Sequence, residues 1–148
     1  MFNVKFRGVR GSYPVVNKNF LKYGGNTSCV EVRIGDNLII LDAGTGMVSI
    51  GDELMEQYIT SDINPENRKP VNATVLLSHI HQDHVQGFTF FRPLHIKSTN
   101  INVYNNTIEN LSDELSTILF GKSFPLDLKD ITGNLNILGI KLVLYYAV

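Results

Sequence analysis

The stretch that decides the fold is Ser78–Gly87, "SHIHQDHVQG", which gathers three of the chain's four histidines and an aspartate. The potential metal-binding side chains in it are His79, His81, Asp83 and His84. Neutral imidazole and carboxylate groups are the usual nitrogen and oxygen ligands of zinc and similar divalent ions. A histidine that stands alone is more often a surface or hydrogen-bonded residue, and we interpret His95 in that way. The clustering of the other three predicts a metal site.

The spacing within this stretch suggests how the ligands divide. His79 and His81 are two positions apart, so both point to the same side of an extended segment and can hold one ion. Asp83 and His84 point elsewhere if a helix begins there, which suits a second ion beside the first. Two ions roughly 3.5–4 Å apart can share a hydroxide and polarise a phosphoryl or carbonyl oxygen.

The sequence before the motif predicts strands, a hairpin and a helix. "NVKFRGV" (3–9) alternates as a half-buried strand does, and a turn at residues 35–37 joins the next two strands. The second arm of this hairpin, residues 38–41, is continuously apolar, which predicts a central strand buried on both faces. A helical stripe follows, formed by Met47, Ile50, Leu54 and Tyr58. The short apolar strand 73–78 then delivers the chain into the histidine stretch.

After the motif, "NINVYN" (100–105) predicts a strand and "NLSDELSTILFG" (110–121) a helix that stops at Gly121. An apolar, β-prone run covers residues 135–148. The order of elements predicts a mixed α and β fold with helices packed on sheets. We expect one domain over 1–148, and an incomplete one, because so apolar a final strand needs neighbours that the sequence does not supply.

The composition argues against several classes of function. The formal net charge is −1, so no basic surplus drives nucleic-acid binding, and no clear nucleic-acid patch is expected. No apolar run reaches the roughly 18 residues that span a bilayer, and the N-terminus has no signal-peptide pattern, so we expect a soluble, cytoplasmic protein with no membrane partner. The single cysteine, Cys29, excludes an internal disulfide and is expected to be a small buried apolar side chain rather than a nucleophile.

"SHIHQDH" resembles the His-x-His-x-Asp-His signature of the metallo-β-lactamase superfamily. "GVRGSYP", "KYGGNTSCVEV" and "LIILDAGTG" extend the resemblance over nearly the whole chain, towards the phosphodiesterase-like branch that includes tRNase Z and cyclic phosphodiesterases. The resemblance implies an α/β fold of the αββα sandwich type, of which this chain is the N-terminal half. It also implies hydrolysis of a phosphodiester or cyclic phosphodiester by a metal-bound hydroxide, with zinc as the first candidate and manganese or iron as alternatives.

The resemblance also assigns roles by position. His79 and His81 would bind the first ion, and Asp83 and His84 the second. Asp83 would in addition orient or deprotonate the attacking water as the catalytic residue. Asp42 would support the metal-binding loop, and Asn26 would support the site from another strand, although a plain turn residue is an equal interpretation of Asn26.

The match stops before the second half of the family's ligand set. No histidine follows His95, so the third histidine for the first ion and the last histidine that the resemblance implies are missing. Asp113, Asp127 and Asp130 do not lie in a motif that matches the bridging aspartate. Three hypotheses follow. The chain is a phosphodiesterase-like hydrolase of a small-molecule or nucleotide phosphodiester, weak or inactive in this form. Alternatively, it is a non-catalytic remnant or half-domain that pairs with a complementary chain or with copies of itself. The third hypothesis is lactone, lactam or thioester hydrolysis on the same fold.

Overall fold

The structure is a computed structural model, and it describes residues 1–105, 110–120, 125 and 130–139. Six strands form one sheet in the order of the sequence: β1 Phe2–Gly8, β2 Cys29–Ile34, β3 Asn37–Leu41, β4 Asn72–Leu76, β5 Asn100–Asn105 and β6 Asn134–Gly139. The helices are α1 Gly46–Thr60, α2 Gln82–Val85 and α3 Leu111–Leu119. Short 3-10 segments lie at Lys18–Phe20, Pro65–Asn67, Gln86–Phe90 and Arg92–His95. The predicted mixed α and β architecture is confirmed.

The direction of the strands changes within the sheet. β1, β2 and β3 are antiparallel, and the predicted hairpin turn is present, with Gly35 in the left-handed region at φ 59°. β3, β4, β5 and β6 are parallel. The carboxyl ends of parallel strands meet at one edge, so the segments that follow β3 and β4 emerge side by side. This edge receives the histidine motif.

The core lies on one face of the sheet. α1 buries Met47, Ile50 and Leu54 there, as its stripe predicts, and α3 buries Leu111, Leu115 and Leu119. Cys29 is fully buried in the same core, which agrees with its predicted role, and burial raises the pKa of its thiol to about 12. Gly121, the predicted helix stop, and residues 140–148 lie outside the described residues.

The other face of the sheet differs from the sequence-based expectation. Phe2 and Phe6 of β1 are 69% and 74% exposed, although the alternation of β1 predicts a half-buried strand. Leu41 of β3 is also exposed, although β3 is predicted to be buried on both faces. The strand register places exposed apolar residues from five strands on this face: Phe2, Val4, Phe6, Ile34, Leu41, Leu76 and Leu138. We call it the open face. Within the described residues, no helix packs on it.

The remaining corner of the open face is polar. The first residues of the three last strands form an asparagine ladder, in which Asn100 donates to Asn72 at 3.1 Å and Asn134 donates to Asn100 at 2.9 Å. Asn136 donates to Asn102 at 3.0 Å one row further along the strands. Each ladder satisfies side-chain amides across a parallel register.

The sheet meets α1 through an ionic cluster near its β1 edge. Arg7 donates from Nε to Glu31 at 2.6 Å and from Nη1 to Glu53 of α1 at 2.6 Å. The Glu31 side chain is 3% exposed and also accepts from Arg33. Burial raises the pKa of Glu31, but the hydrogen bonds from the two arginines outweigh it and hold the pKa below its usual range. The cluster therefore keeps a buried carboxylate ionised.

Candidate metal centre

The site begins where β3 and β4 end. Leu41 and Leu76 are neighbours in the parallel register, and the Asp42 amide continues the pairing by donating to the Leu76 carbonyl at 3.0 Å. Asp42 then turns the chain with a left-handed backbone, at φ 57°. The chain leaving β4 enters the histidine motif beside it, so Asp42 and the motif share the carboxyl edge of the sheet.

Asp42 is the hydrogen-bonding centre of this edge. Its Oδ1 accepts from the amide of Ser78 and from the Ser78 hydroxyl, both at 2.8 Å. Its Oδ2 accepts from His84 Nδ1 at 2.9 Å, and Ser28 Oγ lies 3.3 Å from the same oxygen. The Asp42 side chain is 13% exposed. It therefore fixes both the start of the motif and the ring of its last histidine.

Two of the histidines present the same ring nitrogen outward. His84 donates from Nδ1 to the carboxylate of Asp42, which leaves Nε2 unprotonated in the neutral ring. Because the Ser78 hydroxyl gives its proton to Asp42, its oxygen accepts from His79 Nδ1, 2.9 Å away. A carboxylate or hydroxyl behind the ring in this way fixes the tautomer that binds a metal through Nε2.

The three imidazoles form one cluster rather than two separate pairs. The ring centroids of His79 and His81 are 4.5 Å apart, which agrees with the prediction that both lie on the same side. The centroids of His79 and His84 are 4.0 Å apart. The helix α2 does begin at Gln82, as the second-ion argument requires, but it turns His84 back towards His79. His95 is exposed and lies outside this cluster, in the 3-10 segment Arg92–His95.

Asp83 joins the cluster from the side of the β1–β2 loop. Its Oδ2 lies 3.5 Å from His84 Nε2 and accepts from the backbone amide of Ser12 at 2.7 Å. Burial raises the pKa of the Asp83 carboxyl, but the hydrogen bond from the Ser12 amide and the electrostatic influence of the nearby His84 and His79 rings outweigh it, so the pKa is held below its usual range. Asp83 is thus a carboxylate at neutral pH, as a metal ligand must be.

Close backbone packing holds α2 against the loop that follows Asp42. The Ala43 amide donates to the His84 carbonyl at 2.7 Å, and the Gly87 amide donates to the Ala43 carbonyl at 2.8 Å. A Cβ on Gly87 would lie 2.1 Å from the Gly44 carbonyl oxygen, so only glycine fits at position 87. The glycine that ends the motif therefore sets the distance between the two loops that carry the site.

Asn26 is bonded to the loops around the histidine cluster. Its Oδ1 accepts from Thr45 Oγ1 at 3.2 Å, and its carbonyl accepts from the amides of Val9 and Arg10. These bonds tie the base of the β1–β2 loop to the start of α1. Asn26 thus acts on the loops that carry Asp42 and Ser12.

Sequence reasoning missed two residues of this site. Ser78 stands directly before His79, and a hydroxyl at the end of a buried strand is the signal that could have found it. Ser12 acts through its backbone amide, 71 positions before Asp83, and its identity as a serine carries no signal for this contact.

The candidate ligands are imidazoles and a carboxylate, which are groups that bind divalent metals, and their side chains lie close together. Asp42 and Ser78 hydrogen-bond to the Nδ1 atoms of His84 and His79 and so support these two rings. The fit to a divalent metal is partial, because in the described parts of the chain no group of three or more histidine, cysteine, aspartate or glutamate side chains has the geometry of a finished metal site. Catalytic zinc sites normally have three protein ligands. The described residues therefore bring candidate ligands together but do not complete a metal site.

The fold is similar to that of solved proteins of the metallo-β-lactamase fold. The chain is similar to human tRNase Z in its short form, with 17% identity over 97% of this chain and a TM-score of 0.53. It is similar to the metallo-β-lactamase fold protein YhfI from Bacillus subtilis, with 16% identity over 95% of this chain and a TM-score of 0.50. A protein described as a metallo-β-lactamase from Thermotoga maritima matches 95% of this chain at 22% identity, with a TM-score of 0.45.

The chain spans only part of these proteins: 47% of human tRNase Z and of YhfI, and 59% of the Thermotoga protein. At these identities the likeness shows a shared fold. No protein-family model and no curated protein matches the sequence. In the described residues, no helix is both long enough and apolar enough to cross a membrane.

Proposed function

We propose that the chain carries part of the active site of a metal-dependent hydrolase that acts on phosphodiesters. The observation that supports this most is the histidine cluster at the carboxyl edge, with Asp42 behind it and Asp83 beside it. The phosphodiester class is supported by the sequence resemblance and by the fold shared with human tRNase Z.

Different residues of the site would have different roles. His79, His81, Asp83 and His84 would hold up to two divalent ions, with zinc as the first candidate. When bound, such an ion supplies Lewis-acid activation of the phosphoryl group and makes water acidic enough to attack near neutral pH. The Asp83 carboxylate would orient the attacking water and accept its proton, because it is ionised and lies at the edge of the cluster. Asp42 and Ser78 would keep Nε2 of two histidines directed at the ion.

The test is metal analysis of the purified chain, followed by hydrolysis of bis(p-nitrophenyl) phosphate with zinc or manganese. His81→Ala should remove metal binding, because His81 is one of the candidate ligands and its ring centroid lies 4.5 Å from that of His79. His95→Ala is the matched control, since that histidine is exposed and outside the cluster. Unchanged metal content in His81→Ala contradicts the ligand assignment. Faster turnover of a lactone, lactam or thioester than of phosphodiesters would support the other chemistry on the same fold.

The open face favours a second candidate, a half-domain completed by a complementary chain. Contiguous exposed apolar patches larger than a few hundred Å² are rare on monomeric proteins and mark interaction surfaces. Phe6 of β1, Val30 of β2, Leu41 of β3 and Leu76 of β4 occupy one register row across this face, and Phe2 pairs with Ile34 at the other end of β1. A second sheet would bury these side chains and could bring further ligands to the carboxyl edge.

This candidate is tested by mixing the chain with second halves of related metallo-β-lactamase fold proteins. Metal retention and hydrolysis should appear in the mixture and not in either part. Phe6→Lys should block this recovery by placing a charge on the open face, whereas His95→Ala should leave it intact. Failure to recover activity with every second half tried counts against the complementary-chain hypothesis.

A further inference from the structure

We infer that the backbone amide of Ser12 is a positioning group for Asp83, and that it links the β1–β2 loop to the metal centre. The inference rests on the proposed function for its catalytic meaning, but the contact itself can be tested without any metal. The bond is the 2.7 Å contact from Ser12 N to Asp83 Oδ2, which joins residues 71 positions apart.

The conformation of the β1–β2 loop directs the Ser12 amide towards Asp83. Its base is tied down where the amides of Val9 and Arg10 both donate to the Asn26 carbonyl, at 3.0 and 2.9 Å. Past this anchor the Tyr13 amide folds back to the Gly11 carbonyl at 2.9 Å. Between these two bonds Ser12 takes φ 70°, a left-handed conformation that is unfavourable for a residue with a Cβ. The turn aims the Ser12 amide away from its own loop and at Asp83.

The left-handed backbone of Ser12 is a second observation that supports a role in the site. In the part of the chain that the structure describes, only two non-glycine residues have a positive φ, namely Ser12 and Asp42. Both make hydrogen bonds to the histidine motif. Unfavourable backbone conformations persist where the surroundings hold them in place, and they concentrate at functional sites. The coincidence at two separate loops supports a role in the site rather than an accident of loop packing.

The consequence for Asp83 is orientation. A carboxylate has about four lone-pair positions on its two oxygens, so Oδ2 can accept the amide and still leave positions for an ion or a water. The amide restricts rotation of the carboxylate, whose second close neighbour in this cluster is His84 Nε2 at 3.5 Å. Loss of a hydrogen bond behind a metal ligand typically reduces metal affinity or activity by about 10–100-fold.

The first experiment compares Ser12→Pro with Ser12→Gly. Proline removes the amide hydrogen and, because its φ is fixed near about −65°, also replaces the left-handed backbone of position 12, whereas glycine keeps the amide and accepts that backbone. In zinc titrations, Ser12→Pro should weaken binding about 10–100-fold, and with bis(p-nitrophenyl) phosphate it should lower kcat with little change in KM. Ser12→Gly should match the wild-type chain in both. Equal metal affinity and equal kcat in the two variants would overturn the inference.

The second experiment guards against a proline variant that fails to fold. Amide hydrogen exchange of Ser12 is measured by NMR in the wild-type chain and in Asp83→Ala, which removes both side-chain oxygens, without metal. Exchange at Ser12 should rise about tenfold in Asp83→Ala, more than at Gly11, which feels the same lost charge but has no bond to Asp83. An equal change at both amides would contradict the hydrogen bond from the Ser12 amide to Asp83. If the wild-type chain binds no metal but Ser12 is protected by Asp83, the proposed function fails while the contact stands.

Discussion

Replacing Asp42 tests the centre of the site most directly. Asp42→Asn keeps the size of the side chain and the Oδ1 acceptor for Ser78, but it places an amide group where His84 Nδ1 now finds Oδ2 at 2.9 Å. Asp42→Gly removes every side-chain bond, and it relieves the left-handed backbone at φ 57°. The two variants therefore separate the bond to His84 from the whole network.

The magnitudes follow from the bonds. A hydrogen bond to a charged group contributes about 1.5–3 kcal/mol, so losing the His84 bond in Asp42→Asn should destabilise the fold by about 2 kcal/mol. Asp42→Gly loses the two bonds to Ser78 as well, a loss of about 6 kcal/mol at about 2 kcal/mol for each of the three bonds, and regains about 1 kcal/mol from the relieved backbone. Its net effect should be about 5 kcal/mol. For a chain of this size, 2 kcal/mol lowers Tm by about 4–8 °C.

The assay is urea and thermal unfolding, followed by zinc titration of the folded variants. Both Asp42 variants should lose metal affinity by about 10–100-fold, because the tautomer of His84 is no longer fixed. Asp36→Asn is the control, since Asp36 is exposed in the β2–β3 turn. A loss below about 0.5 kcal/mol in Asp42→Asn, with unchanged zinc affinity, would refute the reasoning, since surface substitutions commonly reach that size.

Three further predictions concern packing and charge. Arg7→Met should destabilise the fold by about 3 kcal/mol in urea unfolding, because it leaves the buried Glu31 with one partner fewer, and the loss should shrink in a Glu31→Leu background. Because the folded pKa of Glu31 and of Glu53 lies below the ordinary value of 4.5, their contribution is complete above about pH 4.5 and declines as pH falls through the folded pKa. Urea midpoints should therefore hold from pH 7 to about 5 and then fall, less steeply in Glu31→Gln. Gly87→Ala should cost more than about 3 kcal/mol, since its Cβ would meet a backbone carbonyl oxygen at 2.1 Å, whereas Gly11→Ala, with open space around it, should be neutral.

The fold was predictable where a pattern is local. The stripe of Met47, Ile50 and Leu54 predicts α1, and Gly35 marks the β2–β3 turn, because both signals lie within a few residues. The exposure of the open face does not follow from the local patterns of β1 and β3, although the resemblance to half of an αββα sandwich implies a sheet face without a partner. Alternation in β1 and the apolar run of β3 show which residues share a face, but coverage of that face depends on residues distant in sequence.

The proximity of the candidate ligands was predictable to a similar extent, whereas their binding of a metal stays a prediction. The candidate ligands are contiguous in sequence, so the spacing of the histidine motif is enough to indicate a metal centre. The sequence does not show that His84 returns towards His79, since this depends on where Ala43 and Gly87 dock. It also does not show the amide of Ser12, because a backbone donor is common to every residue except proline.

Ser12 and Asp42 hold the motif from opposite sides by different chemical means. Asp42 acts through its carboxylate, while Ser12 acts through a backbone amide that is independent of its side chain. Glycine, the residue that suits a left-handed backbone, should therefore be tolerated at position 12 and damaging at position 42. Backbone conformation alone would favour glycine at both positions. The carboxylate at position 42 is thus explained by the histidine and the serine that it orients, and this ties the unfavourable backbone to the geometry of the metal centre.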